Sequence, residues 1–332
     1  MVAKQIADDK LIILTGGAGF IGSQMIRHLN DRGFSHIIVV DDLGTGYKWH
    51  NLLGTLFTEI VPIHGLFDWL EGRASEIQAI IHLGACSDTV EIDGDFLLEN
   101  NYRYTLDLAE YAMQHQIRFI YASSAATYGD GSGGFSDAHD KLESLRPLNL
   151  YGYSKHLVDL WMKQQGLLDE VVGLKYFNVF GPNELHKGRM ASVVPKWVTQ
   201  ALDGEPLRLF KSSDPSRFAD GEQQRDFIYV RDAVQMTAAF LTNELGGIYN
   251  IGRGEPTTWN QLAKAVFAAL ELPEKIQYID MPEDLLGKYQ NYTCADMSKY
   301  SSHFALETTP IDVAVGDYVR NSLIGEEAQI LA

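Results

Sequence analysis

Residues 10–22, with the sequence KLIILTGGAGFIG, join an almost continuously apolar run to a loop that has glycines at positions 16, 19 and 22. The apolar run is typical of a buried strand, and residues 20–32 have the spacing of an amphipathic helix. A glycine-rich turn between a strand and a helix lets the backbone approach a pyrophosphate, whose charge the helix N-terminus stabilises. Gly16, Gly19 and Gly22 therefore predict a dinucleotide-binding loop.

The rest of the first half alternates apolar runs with amphipathic stretches. Apolar, β-branched runs predict further buried strands at residues 36–40, 77–83, 117–122 and 171–177. Helical spacing predicts helices at residues 95–115 and 151–165. Strands that alternate with helices indicate a parallel sheet with right-handed crossovers. The predicted fold class is therefore α/β, a Rossmann-type doubly wound parallel sheet.

The second half is less regular and predicts a smaller C-terminal α/β lobe. Helical spacing appears at residues 190–202, 230–241 and 259–270. The polar stretch 211–224 is interpreted as a loop. The predicted domains are a nucleotide-binding domain over residues 1–177 and a substrate-binding lobe over residues 178–332. Residues 225–251 are a segment that can return to the first domain.

The composition of the sequence limits which partners and which cellular compartment we expect. The net charge is −17 and Lys/Arg-rich runs are absent from the sequence, which argues against a nucleic-acid partner or an anionic membrane partner. Cys86 and Cys294 lie far apart and form no CxxC pair, so neither a disulfide framework nor a metal site is expected. The sequence has no signal-peptide pattern and no apolar run long enough to span a bilayer. We therefore expect a cytoplasmic protein.

Polar residues after the strands predict how a dinucleotide binds. Asp41 follows the second strand about 20 residues after the glycines, where an acid bonds the ribose hydroxyls of NAD. Lys48 follows shortly and can pair with the 2′-phosphate of NADP instead, so these residues leave both cofactors open. Small residues after the strand 77–83 let a cofactor cross the sheet edge; the candidate contacts there are Leu83, Gly84, Ala85, Cys86 and Ser87. Cys86 is interpreted as a packed side chain rather than a nucleophile, because the sequence offers it no partner base.

The stretch YGYSK at residues 151–155 is the sharpest chemical signal. Tyr151 and Lys155 are four residues apart and share a helix face, whereas Tyr153 lies off that face. A free tyrosine has a pKa of about 10, and a nearby lysine cation favours its phenolate. Ser124 follows the strand 117–122 and can hold a substrate hydroxyl, with help from Thr127. The structural alternative is that these hydroxyls only cap and turn the chain.

Five stretches together resemble the extended short-chain dehydrogenase/reductase family of nucleotide-sugar enzymes: TGGAGFIG, SSAATYG, YGYSK, YFNVFGP and RDFIYVRD. The resemblance covers nearly the whole chain. Residues 84–91, 186–192 and 286–290 are similar to the heptose 6-epimerase branch, which acts on ADP-glyceromanno-heptose. That branch inverts carbon 6 of a heptose destined for the lipopolysaccharide inner core.

The resemblance implies tightly bound NADP and a redox mechanism with two acid/base residues, Tyr151 and Lys187, one for each epimer. Oxidation at carbon 6 would give a transient ketone that presents its other face to the returning hydride. Lys187 would act as a base only if its pKa falls below the usual value of about 10.4; the alternative is that it binds a phosphate. A homo-oligomer is also implied, a pentamer by family resemblance.

Further site residues carry over from the same resemblance. Candidate cofactor contacts, besides those above, are Phe20, Ile21, Asp42, Asn100 and Val179, together with Lys155 and Lys187. Candidate substrate contacts are Asn178, Arg189, Lys196, Phe210, Lys211, Ser212, Ser213, Arg225 and Tyr289. Arg189 stands where the family pattern has a small serine. Arg225 suits a pyrophosphate clamp, or alternatively an ion pair with Asp226 or Asp232.

Three other functions compete with this interpretation. A UDP-hexose 4-epimerase would use the same removal and return of a hydride, but would not need Lys187. A 4,6-dehydratase needs an acid beside the active hydroxyl, where this chain has Ala125 and Ala126. A non-catalytic dinucleotide sensor is disfavoured, because the proton-transfer residues of the YGYSK stretch are intact.

Overall fold

The computed structural model of the protein describes residues 6–282 and 290–325. Its strands are β1 (Leu11–Thr15), β2 (Ile37–Val40), β3 (Glu59–Val61), β4 (Ile77–His82), β5 (Arg118–Ser124), β6 (Val172–Tyr176), β7 (Asn178–Phe180), β8 (Leu207–Phe210), β9 (Gln224–Arg225), β10 (Phe227–Tyr229), β11 (Gly247–Ile251), β12 (Thr257–Thr258) and β13 (Ile276–Ile279). Seven of them form one parallel sheet in the order β3-β2-β1-β4-β5-β6-β11. This order confirms the predicted Rossmann-type sheet.

Helices flank the sheet. They are α1 (Phe20–Asn30), α2 (Leu66–Leu70), α3 (Gly94–Leu97), α4 (Tyr104–Gln114), α5 (Leu150–Gln164), α6 (Val193–Leu202), α7 (Val230–Ala238), α8 (Trp259–Leu270), α9 (Ser298–Ser301) and α10 (Ile311–Asp317). The helix predicted at 95–115 is interrupted by a π-helical segment, Leu98–Arg103. The helix predicted at 190–202 begins only at α6, because the side chain of Ser192 caps its first turn.

The core lies between the sheet and its helices. Ile12, Ile13 and Leu14 of β1 are fully buried, as are Ile80 and Ile81 of β4. Strands that are covered on both faces read as continuous apolar runs, which is why the sequence predicts them well. By contrast, β3 has only three residues, and its Glu59 is exposed. The sequence analysis therefore did not predict it.

The C-terminal half forms small strand pairs beside the main sheet. β7 pairs with β10 and β8 with β13, both parallel, and β9 pairs antiparallel with β12. β11 differs, because it joins the main sheet beside β6. The seventh strand of the nucleotide-binding sheet therefore comes from residues beyond 225, and the division at residue 177 stays a prediction.

The topology fixes where a ligand can sit. β1 lies between β2 and β4. The chain first adds β2 and β3 on one side of β1, and then adds β4, β5, β6 and β11 on the other side. The connections that follow β1 and β4 run in opposite directions along the sheet, and this reversal of strand order is where such sheets bind ligands. Within residues 6–282 and 290–325, the helices lack the length and apolar character needed to cross a membrane.

Candidate active site

The glycine-rich loop is packed so tightly that side chains do not fit. Gly16 has a φ of +67°, and a Cβ atom there would lie 2.7 Å from the backbone nitrogen of Gly84. A Cβ atom on Gly22 would lie 2.1 Å from the carbonyl oxygen of Gly16. Gly19 precedes α1, which begins without a side-chain cap, so its first N–H groups can face an anion. This cradle fits the pyrophosphate of a dinucleotide, and Phe20 and Ile21 open the helix directly behind it.

Asp41 ties the end of β2 to this loop. Its carboxylate is buried and accepts hydrogen bonds from the backbone N–H groups of Ala18 and Asp42, each at 2.9 Å. The ammonium group of Lys48 forms an ion pair with the same carboxylate. Asp41 and Lys48, which the sequence offered as separate indicators of NAD and NADP, therefore form one charged pair at the ribose end of the predicted site.

The loop after β4 is held by a residue that the sequence analysis missed. Leu83, Gly84, Ala85 and Cys86 are half-buried and Ser87 is exposed. The buried side chain of Asn101, in the π-helical segment, accepts from the N–H of Cys86 at 2.8 Å and donates to its carbonyl oxygen at 2.9 Å. Asn100 donates to Asn101 at 2.9 Å. Cys86 is a free thiol whose backbone, rather than its sulfur, makes these contacts.

His82 joins β1 and β4 to the helices beneath the crevice. Its Nδ1 lies 2.6 Å from the hydroxyl of Thr15, and its Nε2 lies 2.9 Å from the hydroxyl of Thr105. Burial, with a smaller contribution from the charge of Lys155, lowers the pKa of His82 to about 3. His82 is therefore neutral at physiological pH and acts as a structural bridge.

The three predicted proton-transfer residues come together. Ser124 ends β5 and is buried, and its hydroxyl accepts from the N–H of Ala126 at 3.1 Å. Burial raises the pKa of Tyr151, whereas a hydrogen bond with Ser124 lowers it. Burial lowers the pKa of Lys155 to about 8, against the opposing charge of Asp159. Tyr153 is exposed, as its position off this helix face predicts.

Lys187 reaches the first residue of α1. It lies in the 3₁₀ segment Leu185–Met190, and its Nζ is 5.5 Å from the centre of the Phe20 ring. His186 anchors the segment, because its Nδ1 lies 3.0 Å from the side-chain nitrogen of Asn51 and 3.0 Å from the carbonyl oxygen of Asn183. Burial lowers the pKa of Lys187, with Glu184 opposing. The structure therefore brings Lys187 to the dinucleotide loop.

The predicted substrate contacts are mostly exposed, and several of them pair with other polar side chains of the protein. Arg189 pairs with Asp88 at 2.5 Å, which links the 185–190 segment to the loop after β4. Lys211 pairs with Asp280 at 2.9 Å, and Ser213 bonds Asn291 at 3.0 Å. The remaining substrate candidates are Asn178 (exposed), Lys196 (exposed on α6), Phe210 (half-buried) and Ser212 (half-buried). Val179, a predicted cofactor contact, is half-buried. Tyr289 lies outside the described residues.

Arg225 is buried in β9, and its guanidinium donates to the carbonyl oxygen of Gln224 at 2.9 Å. The carboxylate of Asp226 accepts the backbone N–H groups of Arg253, Gly254 and Ala295. The carboxylate of Asp232 accepts from the N–H and hydroxyl of Thr309. Both carboxylates considered as ion-pair partners of Arg225 therefore have other partners. In the parts of the chain that the structure describes, no group of three or more His, Cys, Asp or Glu is placed to hold a metal ion.

The comparison with protein families settles the membership of the chain. A model of the NAD dependent epimerase/dehydratase family matches residues 12–252. The chain belongs to this family. Its predicted fold class and its predicted enzyme class, an epimerase, are thereby confirmed.

Individual relatives refine this membership. The chain is 46% identical over 330 residues to the ADP-L-glycero-D-manno-heptose-6-epimerase of Nitratidesulfovibrio vulgaris (strain Hildenborough), covering 96% of this chain and 100% of the relative. It is similar to the crystal structure of the Helicobacter pylori ADP-L-glycero-D-manno-heptose-6-epimerase, with a TM-score of 0.80, 26% identity and coverage of 94% and 96%. The resemblance to the heptose 6-epimerase branch is therefore confirmed.

A further solved relative bears on the cofactor. The Thermus thermophilus UDP-glucose 4-epimerase in complex with NAD has a TM-score of 0.71 and 26% identity, with coverage of 94% of this chain and 99% of that one. The family and this neighbour support a nicotinamide dinucleotide as the cofactor of this epimerase.

Sequence reasoning missed His82, Asn101 and Asp159. His82 closes an apolar run, and a lone polar residue there was a usable signal. Asp159 lies four residues after Lys155 on the same helix face, so its nearness was also predictable. Asn101 had no such signal, because only the π-helical turn directs it towards Cys86.

Proposed function

We propose that this epimerase interconverts the two carbon-6 epimers of ADP-glyceromanno-heptose by transient oxidation at carbon 6, using a tightly bound NADP. The observation that carries the proposal is the position of Lys187 against Phe20 at the dinucleotide loop, in a chain that also assembles Ser124, Tyr151 and Lys155. The high identity to a relative named as a heptose 6-epimerase supports the substrate.

The glycine cradle, Asp41, Lys48 and the loop after β4 would hold the cofactor. When bound, NADP would supply a nicotinamide ring that accepts a hydride from carbon 6 and returns it. Lys48 supports NADP over NAD, because its ammonium group is already at the ribose end and can turn from Asp41 to a 2′-phosphate. Asn100 and Val179 are proposed as further contacts.

Tyr151 would move the proton of one carbon-6 hydroxyl. Ser124 donates a hydrogen bond to the same oxygen and stabilises it as a ketone forms. Because burial raises the pKa of Tyr151, its phenolate needs the nearby positive charge of Lys155. These three side chains form the first acid/base group of the proposed reaction.

Lys187 would serve the other epimer. A single base cannot reach the hydroxyl on both faces of carbon 6, so a second base is required. Burial lowers the pKa of Lys187, and this favours a neutral amine that accepts a proton. Asn178, Arg189, Phe210 and Arg225 are proposed to position the nucleotide sugar, with Lys196, Lys211, Ser212, Ser213 and Tyr289 as further candidates.

Lys187→Met separates a base from a phosphate ligand. We expect kcat to fall by about 10²- to 10⁴-fold with KM changed little and the nucleotide retained, because a proton-transfer group is lost. Lys264→Met removes an exposed lysine on α8 and serves as the control. A large rise in KM at unchanged kcat would assign Lys187 to phosphate binding instead.

Product analysis tests the whole proposal. Incubation with each ADP-heptose epimer in D₂O, followed by proton NMR, should give the same mixture of epimers without deuterium at carbon 6. Mass spectrometry of the nucleotide released on denaturation should identify NADP. Deuterium at carbon 6 would contradict transient oxidation, and NAD alone would contradict the cofactor assignment.

A panel of ADP- and UDP-sugars separates this proposal from a UDP-hexose 4-epimerase. The similarity to a UDP-glucose 4-epimerase structure makes that alternative worth testing directly. Inversion at carbon 4 of a UDP-hexose, with ADP-heptose left unchanged, would favour it. Light scattering of the purified protein tests the predicted homo-oligomer.

A further inference from the structure

A buried ion pair lies behind the candidate active site and has no part in the proposed proton transfers. The Nζ of Lys175 is 2.6 Å from Oδ2 of Asp159, and both side chains have 0% exposure. The carboxylate also accepts hydrogen bonds from the hydroxyls of Tyr121 at 3.0 Å and Ser123 at 2.8 Å. Lys175 donates a second hydrogen bond to the hydroxyl of Thr127 at 2.5 Å. One carboxylate thus joins β5, β6 and α5.

Two of these elements, β5 and α5, carry the candidate proton-transfer residues. Ser123 directly precedes Ser124, and the hydroxyl of Thr127 donates to the carbonyl oxygen of Ser124 at 2.8 Å. Asp159 lies one turn after Lys155 on α5, on the helix face that also carries Tyr151. A shift of the ion pair would therefore move the serine and the lysine together.

Stability alone is a weak reason for such a pair. Removing two charges from water is unfavourable in general, and apolar residues of the same volume often stabilise a core equally well. The hydrogen-bond partners of the pair cluster around Ser124 rather than elsewhere in the core. The position of this buried pair therefore points to a role in the site.

We propose that Asp159 and Lys175 are positioning residues, which hold Ser124 and the ammonium group of Lys155 in place for the proton transfer at Tyr151. This inference rests on the proposed function for the reaction, while the placement of Lys155 can be measured without any sugar. The two residues act through others and are not expected to touch substrate.

The charges around Lys155 give the two variants opposite effects. Asp159 on α5, His82 on β4 and Cys86 in the following loop interact electrostatically with Lys155. Tyr151 lies one turn before it on the same helix face. Asp159 favours the ammonium form, and Lys175 offsets part of that negative charge. Removing the acid should therefore lower the pKa of Lys155, and removing the lysine should raise it.

The test is competitive trace acetylation of Lys155 across a pH series in the holoenzyme, quantified by mass spectrometry. We expect the pKa of Lys155 to fall by about one unit in Asp159→Asn and to rise by about one unit in Lys175→Met. Lys175→Arg keeps the ion pair and should leave the pKa unchanged. The alkaline limb of the kcat–pH profile should move in the same directions.

Val158→Ala controls for a structural effect, because it opens space beside Asp159 in the same helix without changing any charge. If both charge variants lower Tm as this control does, yet leave the pKa of Lys155 where it was, the positioning role is wrong. If Asp159→Asn does not fold, the rise in the pKa of Lys155 expected in Lys175→Met still tests the proposal. If the pKa of Lys155 moves as expected in the two charge variants but the wild type does not epimerise ADP-heptose, the proposed function fails while the placement of Lys155 by the pair stands.

Discussion

The cofactor side and the substrate side of the crevice differ in how their polar groups are held. On the cofactor side, Asp41, His82 and Asn101 are buried, and each has at least two hydrogen-bonding contacts within the fold. On the substrate side, Asn178 and Lys196 are exposed. We therefore expect the fold to fix the proposed cofactor side, and the exposed side chains of the proposed substrate side to depend on the ligand for their final arrangement.

The largest effect is expected on kcat when Tyr151 loses its hydroxyl group. Tyr151→Phe removes the phenol and keeps the ring, so we expect kcat to fall by about 10³-fold while the nucleotide stays bound. Single-turnover rates and mass spectrometry of the retained nucleotide measure both. Tyr153→Phe changes the exposed neighbour and should be silent. Full activity in Tyr151→Phe would remove the tyrosine from the reaction.

Gly22→Ala tests whether the cradle is as rigid as the packing indicates. A Cβ atom there would lie 2.1 Å from a backbone oxygen, so α1 must move. We expect a loss of about 1–3 kcal/mol in the free energy of unfolding and loss of retained nucleotide on gel filtration. Gly65→Ala meets no atom within 4 Å and is the matched control. Equal nucleotide retention in the two variants would contradict a tight cradle.

His82 predicts a pH dependence on the cofactor side. Its folded pKa is about 3, below the usual value of 6.5, so the unfolded chain binds more protons between these values. The contribution is complete above pH 6.5 and is lost as the pH falls towards 3. Between pH 7 and 5 it amounts to about 2 kcal/mol of unfolding free energy. The free energy of unfolding, measured by urea titration at a series of pH values, should therefore fall more steeply between pH 7 and 5 in the wild type than in His82→Gln. Equal pH dependence in the two proteins would contradict a buried, neutral His82.

The smallest effect is expected at the exposed Arg189–Asp88 pair. Exposed ion pairs contribute little to stability, so Tm should be unchanged in either variant. Arg189→Ser should raise KM about threefold at constant kcat, and Asp88→Asn, which releases the arginine, should lower it. The Arg189 assignment fails if KM for the nucleotide sugar is the same in both variants.

The same contrast explains what the sequence could predict. The glycine loop, Asp41, and the Tyr151–Lys155 pair depend on neighbours a few residues away or on the order of strands, which apolar periodicity reveals. The structure places the glycine loop between β1 and α1, Asp41 directly after β2, and Tyr151 and Lys155 in α5, while their functions stay predictions. Lys48 was predicted only as a partner of a 2′-phosphate, and its ion pair with Asp41 depends on how the loop after β2 folds back.

Other features depend on tertiary packing. The helix predicted at 95–115 hides a π-helical turn, because a turn widened by one residue leaves the apolar spacing almost unchanged. Asn101 acts only through that turn. The ion pair between Arg189 and Asp88 joins residues distant in sequence, and the sequence gives no local signal for it.

The origin of the last sheet strand has a consequence for synthesis. β6 is flanked by β5 and by β11, which the ribosome adds only after residue 246. Until then, the nascent body presents an open edge of N–H and C=O groups at β6, and such edges recruit foreign strands. A translational pause or a gene break after residue 177 should therefore yield aggregates rather than a smaller working nucleotide-binding module.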